Sequence, residues 1–281
     1  MKAQNIHIYK EFKDRHVILT GGTGGIGSLV LNDLLKNGAK VCSFIHSNKK
    51  YQQSENYNQY SQYEKNQQLL TIQTDLSNPT TITTKFKEAM IFLKGKLDHL
   101  IMCHGLFIYG AVTQISVEDF DKVYNLNVRS NFHLLSLSVP FLKITKGNVV
   151  MISSVESKIV EKDDFLQSVS KTMINSMVQS AALELAHFGV RINAVAPAFV
   201  NTQYRVSKWM DAENNEKYLE QMGTFFLLEN KPNEANEISD TILFLASDES
   251  SFMTGEIVVV DGGYELNHDL SFKQIVNDEI S

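Results

Sequence analysis

The sequence predicts an α/β protein, a single domain built on a doubly wound parallel sheet of about seven strands. Three observations predict it. Apolar runs of strand length alternate with segments of helical spacing, these runs are continuously apolar, and a glycine-rich turn follows the first of them. Continuous apolar strands are typical of parallel sheets that helices cover on both faces. With 281 residues, 43% of them hydrophobic, the chain can bury one large core.

The first strand and the turn after it are the most informative stretch. Residues 17–20 read as an apolar strand and residues 29–36 as a helix. Because glycine lacks a Cβ atom and allows positive φ, such a turn lets backbone N–H groups approach a pyrophosphate at the start of a helix. A purely structural turn is the alternative, but the strand and helix around it favour dinucleotide binding. The candidate cofactor residues here are Gly21, Thr23, Gly24, Gly25, Ile26 and Gly27.

The remaining elements continue the alternation of strands and helices. Strands are predicted at 41–45, 69–73, 97–103, 149–152, 190–195 and 255–260, and helices at 80–92, 117–142, 165–187 and 234–246. We expect an interruption of the helical region 117–142 near Pro140. The Gln-, Asn- and Tyr-rich stretch 47–68 is either a polar helix or a surface insert, and the polar stretch 202–230 is a candidate lid. An extension (1–14) and a tail (265–281) flank the predicted domain at 15–264.

Composition excludes several classes of function. The net charge of -6 and the scattered Lys and Arg residues argue against a nucleic-acid partner. No apolar run approaches the roughly 18 residues of a membrane span, and residues 1–13 lack the apolar core of a secretory signal. Cys42 and Cys103 lie in apolar runs, so we expect buried free thiols. Free thiols fit a reducing compartment. We therefore expect an intracellular, cytoplasmic protein, with an organelle matrix as the alternative.

Ligands of parallel sheets bind outside the carboxyl ends of the strands. The candidate residues at these ends are His46, Ser47, Asp75, Leu76, His104, Gly105, Ser154, Pro197, Val200 and Thr202. Each has an ordinary structural alternative: Asp75 as a helix cap, Ser154 as a turn residue, His104 as a packed histidine. Asn127 and Lys171 lie on predicted helices and, taken alone, read as ordinary polar helix residues.

In combination, these residues resemble the short-chain dehydrogenase/reductase family, in its compact single-domain branch, from about residue 15 to residue 264. The family pattern TGxxxGxG is matched by residues 20–27, and the segments 191–197 and 254–263 are close to family signatures. The resemblance implies a Rossmann fold and an NAD(P)-dependent oxidoreductase. It places Asp75 and Leu76 beside the adenine and makes Asn127, Ser154 and Lys171 the catalytic set.

The main departure from the family is Gln167. The family's proton-donating tyrosine lies four residues before the lysine and thirteen after the serine, and both spacings reach Gln167. A carboxamide exchanges no proton near neutral pH. No tyrosine lies between residues 130 and 199. At the position where the family's enoyl reductases have their tyrosine, this chain has Asp164. Dienoyl-CoA reductases use a tyrosine nearer the serine strand, and the corresponding segment here, Val155-Glu156-Ser157, contains none.

Two further departures concern the cofactor. The family's Asn-Asn-Ala-Gly is Met102-Cys103-His104-Gly105, which puts His104 near the expected nicotinamide end. The second strand ends without an acidic residue to hold the ribose diol of NAD. Because His46, Ser47, Lys49 and Lys50 can meet a 2′-phosphate instead, NADP(H) is favoured over NAD(H).

Two hypotheses for function follow. The favoured one is a pseudoenzyme, a cofactor-binding protein with a degraded catalytic set that includes Gln167, serving as a structural, sensor or assembly subunit. The alternative is a working NADP-dependent oxidoreductase of a carbonyl, alcohol or enoyl-type substrate, with His104 or a water relay as proton donor. No metal site is predicted. The apolar residues of 165–187 exceed what one sheet face can cover, so we expect a homo-oligomer or a subunit of a larger complex.

Overall fold

A computed structural model of the chain describes residues 12–202 and 219–267. Its strands are β1 (His16–Thr20), β2 (Lys40–Ile45), β3 (Leu69–Gln73), β4 (His99–Met102), β5 (Asn148–Ile152), β6 (Arg191–Pro197), β7 (Val200–Asn201), β8 (Asn233–Glu234) and β9 (Ile257–Val260). Seven strands form one parallel sheet in the order β3-β2-β1-β4-β5-β6-β9, and β7 pairs with β8 separately. The predicted seven-stranded doubly wound sheet is confirmed.

The helices alternate with these strands. They are α1 (Gly25–Lys36), α2 (Asn48–Gln52), α3 (Tyr57–Lys65), α4 (Pro79–Phe92), α5 (Val117–Val123), α6 (Ser130–Thr145), α7 (Phe165–Leu185) and α8 (Ala235–Ala246). Helices α1, α3 and α8 pack on one face of the sheet, and α4, α6 and α7 pack on the other. Each face therefore has its own apolar core, which explains why the strands are apolar without alternation.

The strand order reverses between β1 and β4, where the chain crosses to the other half of the sheet. Thr20 of β1 pairs with Phe44 of β2 on one side and with Met102 of β4 on the other. A reversal of this kind opens a crevice at the carboxyl ends of the two strands. Both the glycine turn and His104 follow directly from these ends.

The Gln-, Asn- and Tyr-rich stretch is a folded part of the domain. It contains α2 and α3, and Tyr51 and Tyr60 are buried with stacked rings. The Tyr60 hydroxyl donates a hydrogen bond to the carbonyl of Ser28, at 3.2 Å. The alternative of a loose surface insert is therefore wrong, because regularly spaced tyrosines anchor the polar helix to α1.

The predicted interruption near Pro140 is also wrong. Helix α6 continues through Pro140 to Thr145, and the irregularity lies earlier, in a π-helical turn at Tyr124–Arg129. Single π turns within α-helices are frequent at functional sites. This one contains Asn127.

Several predictions lie outside the described residues. They concern residues 1–11, residues 203–218 of the candidate lid and residues 268–281 of the tail. The described end of the lid region includes Phe226, which is buried and packs on Tyr264 with ring centroids 5.2 Å apart. Within 12–202 and 219–267, no helix is long and apolar enough to cross a membrane.

Candidate active site

The glycine turn is packed so closely that side chains cannot replace its key glycines. Gly21 has φ of +74°, and a Cβ atom there would lie 2.9 Å from the carbonyl of Cys103. A Cβ on Gly27 would lie 2.2 Å from the carbonyl oxygen of Gly21. The turn therefore folds tightly against the end of β4.

The start of α1 has the features of an anion site. Gly24 caps the helix without a side-chain hydrogen bond, and Gly24 and Gly25 are exposed. Free N–H groups at a helix start attract phosphate. Thr202 lies over this point, since its methyl carbon is 2.6 Å from where a Cβ on Gly25 would stand. Thr23 and Ile26 are half-buried beside it.

The ends of β2 and β3 form the opposite end of the crevice. His46 is exposed, and Ser47 caps α2 by accepting a hydrogen bond from the N–H of Lys50 at 3.4 Å. Asp75 accepts bonds from the hydroxyl and the N–H of Ser77, at 2.6 and 2.9 Å. These bonds chiefly, and the charge of His46 in addition, lower the pKa of Asp75.

Asp75 is not the cap of the next helix. Asn78 caps α4, accepting bonds from the N–H groups of Thr80 and Thr81. The side chain of Leu76 is buried in the core, so it has only its backbone to offer a ligand. An adenine-binding role for Asp75 and Leu76 stays a prediction.

His104 is held on both sides by hydroxyl groups. Its Nδ1 atom is 2.6 Å from Oγ1 of Thr20, and its Nε2 atom is 2.6 Å from Oγ of Ser130. The Ser130 hydroxyl itself donates a hydrogen bond to the carbonyl of Leu126. Ser130 must therefore accept the Nε2 hydrogen, and Nδ1 must accept from Thr20.

These contacts favour the packed-histidine alternative over the proton-donor role suggested for His104, which stays untested. Burial chiefly, and the charge of Lys171 in addition, lower the pKa of His104 to about 4. The ring is neutral at pH 7, and its one hydrogen is bonded to Ser130. His104 joins the end of β1 to α6, which is the packed-histidine alternative.

Asn127 connects the loop after β4 to α7. Its Oδ1 atom accepts from the N–H of Leu106 at 2.7 Å, and its amide donates to the Leu106 carbonyl at 2.8 Å. The amide also reaches the hydroxyl of Ser170, at 3.3 Å. Gly105 lies between Asn127 and Lys171, because a Cβ there would be 3.7 Å from Asn127 Oδ1 and 3.9 Å from Lys171 Nζ. The π turn thus places Asn127 beside the lysine.

Lys171 is buried on α7, and its Nζ atom donates to the carbonyl of Ile152 at 2.8 Å. Burial lowers the pKa of Lys171 to about 8, opposed mainly by the carboxylate of Glu156. The alternative of a solvated helix residue is therefore wrong. Gln167 lies one helical turn earlier on the same face and is half-buried.

Ser154 ends β5 with a buried hydroxyl. Its Oγ atom donates to Oε2 of Glu156 at 3.1 Å and lies 3.3 Å from the carbonyl of Pro197. Its backbone carbonyl accepts from the hydroxyl of Ser157 at 2.6 Å, and Asn175 of α7 holds that hydroxyl in turn. The serine is thus fixed from both its backbone and its side chain.

Glu156 is a candidate functional residue that no sequence motif indicates. Its side chain is buried, although glutamate is almost never fully buried without a partner. Oxygens of Glu156, Glu161 and Asp164 lie within 4.8 Å of one another, and the hydroxyl of Tyr264 donates to Glu161. The sequence does carry one indication of Glu156, which is its position two residues after Ser154 at the end of a central strand.

Pro197, Val200 and Thr202 lie along the segment that leaves β6. The Pro197 carbonyl contacts Ser154, Val200 pairs with Asn233 in the small sheet, and Thr202 covers the glycine turn. One continuous segment therefore runs from Ser154 to the glycine turn.

Comparisons with known proteins agree with this architecture. A family model described as enoyl-(acyl carrier protein) reductase matches residues 21–265. A chloroplastic tropinone reductase homolog of Arabidopsis thaliana is 31% identical over 252 residues, covering 89% of this chain and 75% of that one. A second Arabidopsis tropinone reductase homolog is 30% identical over 92% of both chains.

Solved structures show the same fold. Ligand-free aldohexose dehydrogenase of Thermoplasma acidophilum superposes with a TM-score of 0.81 at 23% identity, over 92% of this chain and 96% of that one. The structure of ElxO with NADP bound superposes with a TM-score of 0.80 at 24% identity, over 89% of this chain and 98% of that one.

Proposed function

The chain belongs to the short-chain dehydrogenase/reductase family of NAD(P)-dependent oxidoreductases, and we propose that it is a working NADP(H)-dependent member that lacks the tyrosine. The observation that carries this proposal is the buried group of Ser154, Glu156 and Lys171 at the crevice. Burying two ionisable side chains costs free energy, and such groups cluster at functional sites.

The residues present fit a nicotinamide dinucleotide. The exposed glycines and the uncapped start of α1 suit a pyrophosphate. Lys49 and Lys50 are exposed beside the end of β2, which supports a 2′-phosphate there. When bound, NADP(H) supplies or accepts a hydride. The relative named as ElxO binds NADP, and we extend the same cofactor class to this chain.

The protein's own residues then act on an alcohol or carbonyl substrate. Ser154 hydrogen-bonds the substrate oxygen, because its hydroxyl is fixed at the end of β5. Lys171 adds a positive charge close to that oxygen and to the cofactor, and its pKa of about 8 leaves it mostly protonated at pH 7. Asn127 positions the loop at Leu106 that lines the crevice.

A second candidate function is a cofactor-binding subunit without turnover. Gln167 favours it, since no phenol stands at the family position, and so does the structural role of His104. Under this reading the cofactor acts as a structural or sensed ligand.

The two functions differ in one measurement. NADP⁺-linked oxidation of secondary alcohols and NADPH-linked reduction of ketones, aldehydes and quinones should be assayed with wild type and with Lys171→Met. Turnover that is lost in the variant supports an enzyme. Tight cofactor binding by calorimetry, without turnover in either direction across the panel, supports the non-catalytic subunit.

We also propose self-association through the outer face of α5, the π turn and α7, in an intracellular protein. Phe165 and Met173 of α7 are 42% and 38% exposed, and Phe132 of α6 is 60% exposed. A shallow apolar cleft between these helices is lined by Phe120, Val123, Tyr124, Val128, Leu166, Val169, Ser170 and Met173. Exposed apolar side chains beside such a cleft support an interface here.

A further inference from the structure

We propose that Glu156 is the proton acceptor in alcohol oxidation, receiving the substrate proton through the hydroxyl of Ser154. The inference rests on the proposed function and names a catalytic residue for it. It assigns to a carboxylate on the serine side of the site the proton transfer for which Gln167 has no group.

The hydrogen bonds of Ser154 support this direction of transfer. Its hydroxyl donates to Oε2 of Glu156 at 3.1 Å, the shorter of its two acceptor contacts. The N–H of Glu156 donates back to Ser154 Oγ at 3.4 Å. A hydroxyl has one hydrogen and two acceptor positions, so one acceptor position is left for the hydroxyl of a substrate.

Burial and charge support a chemical role for the carboxylate. Glu156 is 8% exposed, and the acceptor oxygen lies beside Ser154 in a short 3₁₀ turn, Val155–Ser157. The charged groups around it are Lys171, which it attracts, and the carboxylates of Glu161 and Asp164.

The step balances. The substrate O–H bond breaks, and its proton moves to Ser154 Oγ while the Ser154 proton moves to Oε2 of Glu156. An oxidised nicotinamide bound in the crevice would accept the hydride from the substrate carbon, and the C–O bond would become C=O. The products are a carbonyl compound, reduced cofactor and neutral Glu156, which returns its proton to solvent.

The experiment compares wild type, Glu156→Gln and the control Glu161→Gln. Glutamine keeps the size and a hydrogen-bond acceptor but cannot take the proton. We expect kcat for alcohol oxidation to fall about 10²- to 10⁴-fold in Glu156→Gln, with KM and NADP⁺ affinity within about threefold of wild type. Glu161→Gln removes a neighbouring carboxylate that has no bond to Ser154, and its kcat should stay within about threefold.

A second readout does not depend on turnover. A fluorinated secondary alcohol gives up its proton readily and its hydride poorly, so with NADP⁺ it should leave Glu156 protonated. Infrared difference spectra should then show a carboxylic acid band in wild type and Glu161→Gln, and none in Glu156→Gln.

The experiment distinguishes failure of the Glu156 role from failure of the proposed function. An active wild type with unchanged kcat in Glu156→Gln, or an acid band that persists in that variant, overturns the role of Glu156 alone. A wild type that binds NADP⁺ and shows neither turnover nor the acid band overturns both proposals.

Discussion

The imidazole of His104 accepts a hydrogen bond from the hydroxyl of Thr20, which lies 84 residues earlier in the chain, at 2.6 Å. The bond crosses the point where the strand order reverses and holds the glycine turn against the end of β4. The ring is therefore part of the frame of the cofactor crevice, and changes at His104 should act on folding before they act on chemistry.

His104→Ala should lower the free energy of unfolding by about 1–3 kcal/mol, because it leaves the buried hydroxyl of Thr20 without its acceptor. At a temperature where the variant is folded, kcat should change much less than in Glu156→Gln. Urea unfolding and steady-state kinetics check this. A stable variant that has lost all turnover would restore His104 as proton donor.

Stability should fall as the pH is lowered from about 6.5 towards 4. Burial lowers the pKa of His104 and of His99 to about 4, below the ordinary 6.5. Between pH 6.5 and 4 the unfolded chain therefore binds more protons than the folded chain. The contribution of these histidines to the free energy of unfolding is fully present above pH 6.5 and is lost as the pH falls. Thermal unfolding across this range measures the loss. His104→Gln should flatten its slope, and an equal slope would contradict the neutral ring.

NADPH should bind more tightly than NADH. The exposed Lys49 and Lys50 lie beside the end of β2, and no acidic residue ends that strand. Replacing both lysines with glutamine should weaken the binding of NADPH and leave the affinity for NADH within about twofold of wild type. Calorimetry with both cofactors checks this, and equal affinities in wild type would refute the NADP assignment.

Gly25→Val should abolish cofactor binding. Its side chain would occupy the exposed start of α1 and would meet Thr202, whose methyl carbon is 2.6 Å from the Cβ position. The double variant with Thr202→Ala separates these effects: it should recover thermal stability without recovering binding. Recovered binding would mean that the site is damaged only through Thr202.

Gln167→Tyr should raise NADPH-linked carbonyl reduction above wild type. The phenol would stand one helical turn before Lys171, a buried ammonium whose pKa is about 8, with Ser154 already fixed. Positioned acid catalysis is typically worth roughly 10² to 10⁴ in rate. The control is Gln167→Phe, which adds the ring without the hydroxyl. Equal rates in the two variants would show that the hydroxyl does not reach the substrate.

Phe132→Glu together with Met173→Glu should dissociate the predicted oligomer. Both side chains are exposed, Phe132 on α6 and Met173 on α7, and burial of a charge at either one would oppose association. Light scattering at micromolar concentration measures the change. A monomeric wild type would remove the self-association proposal.

The sequence by itself determined the seven-stranded sheet, because continuous apolar runs and their spacing are local patterns. It also located the glycine turn, whose conformation depends on glycines next to one another. The misplaced interruption at Pro140 and the tyrosine-anchored helix at 57–65 show the limit of such patterns: whether a proline or a polar helix is tolerated depends on what packs against it.

Only the tertiary structure decided what the site residues do. Thr20, His104 and Ser130 come from three segments, and their bonds fix a tautomer that no spacing reveals. Glu156 became a candidate only because it is buried, accepts a hydrogen bond from Ser154 and interacts electrostatically with Lys171. Charge and proton affinity depend on distance and on exclusion of water, and both are set when distant segments pack.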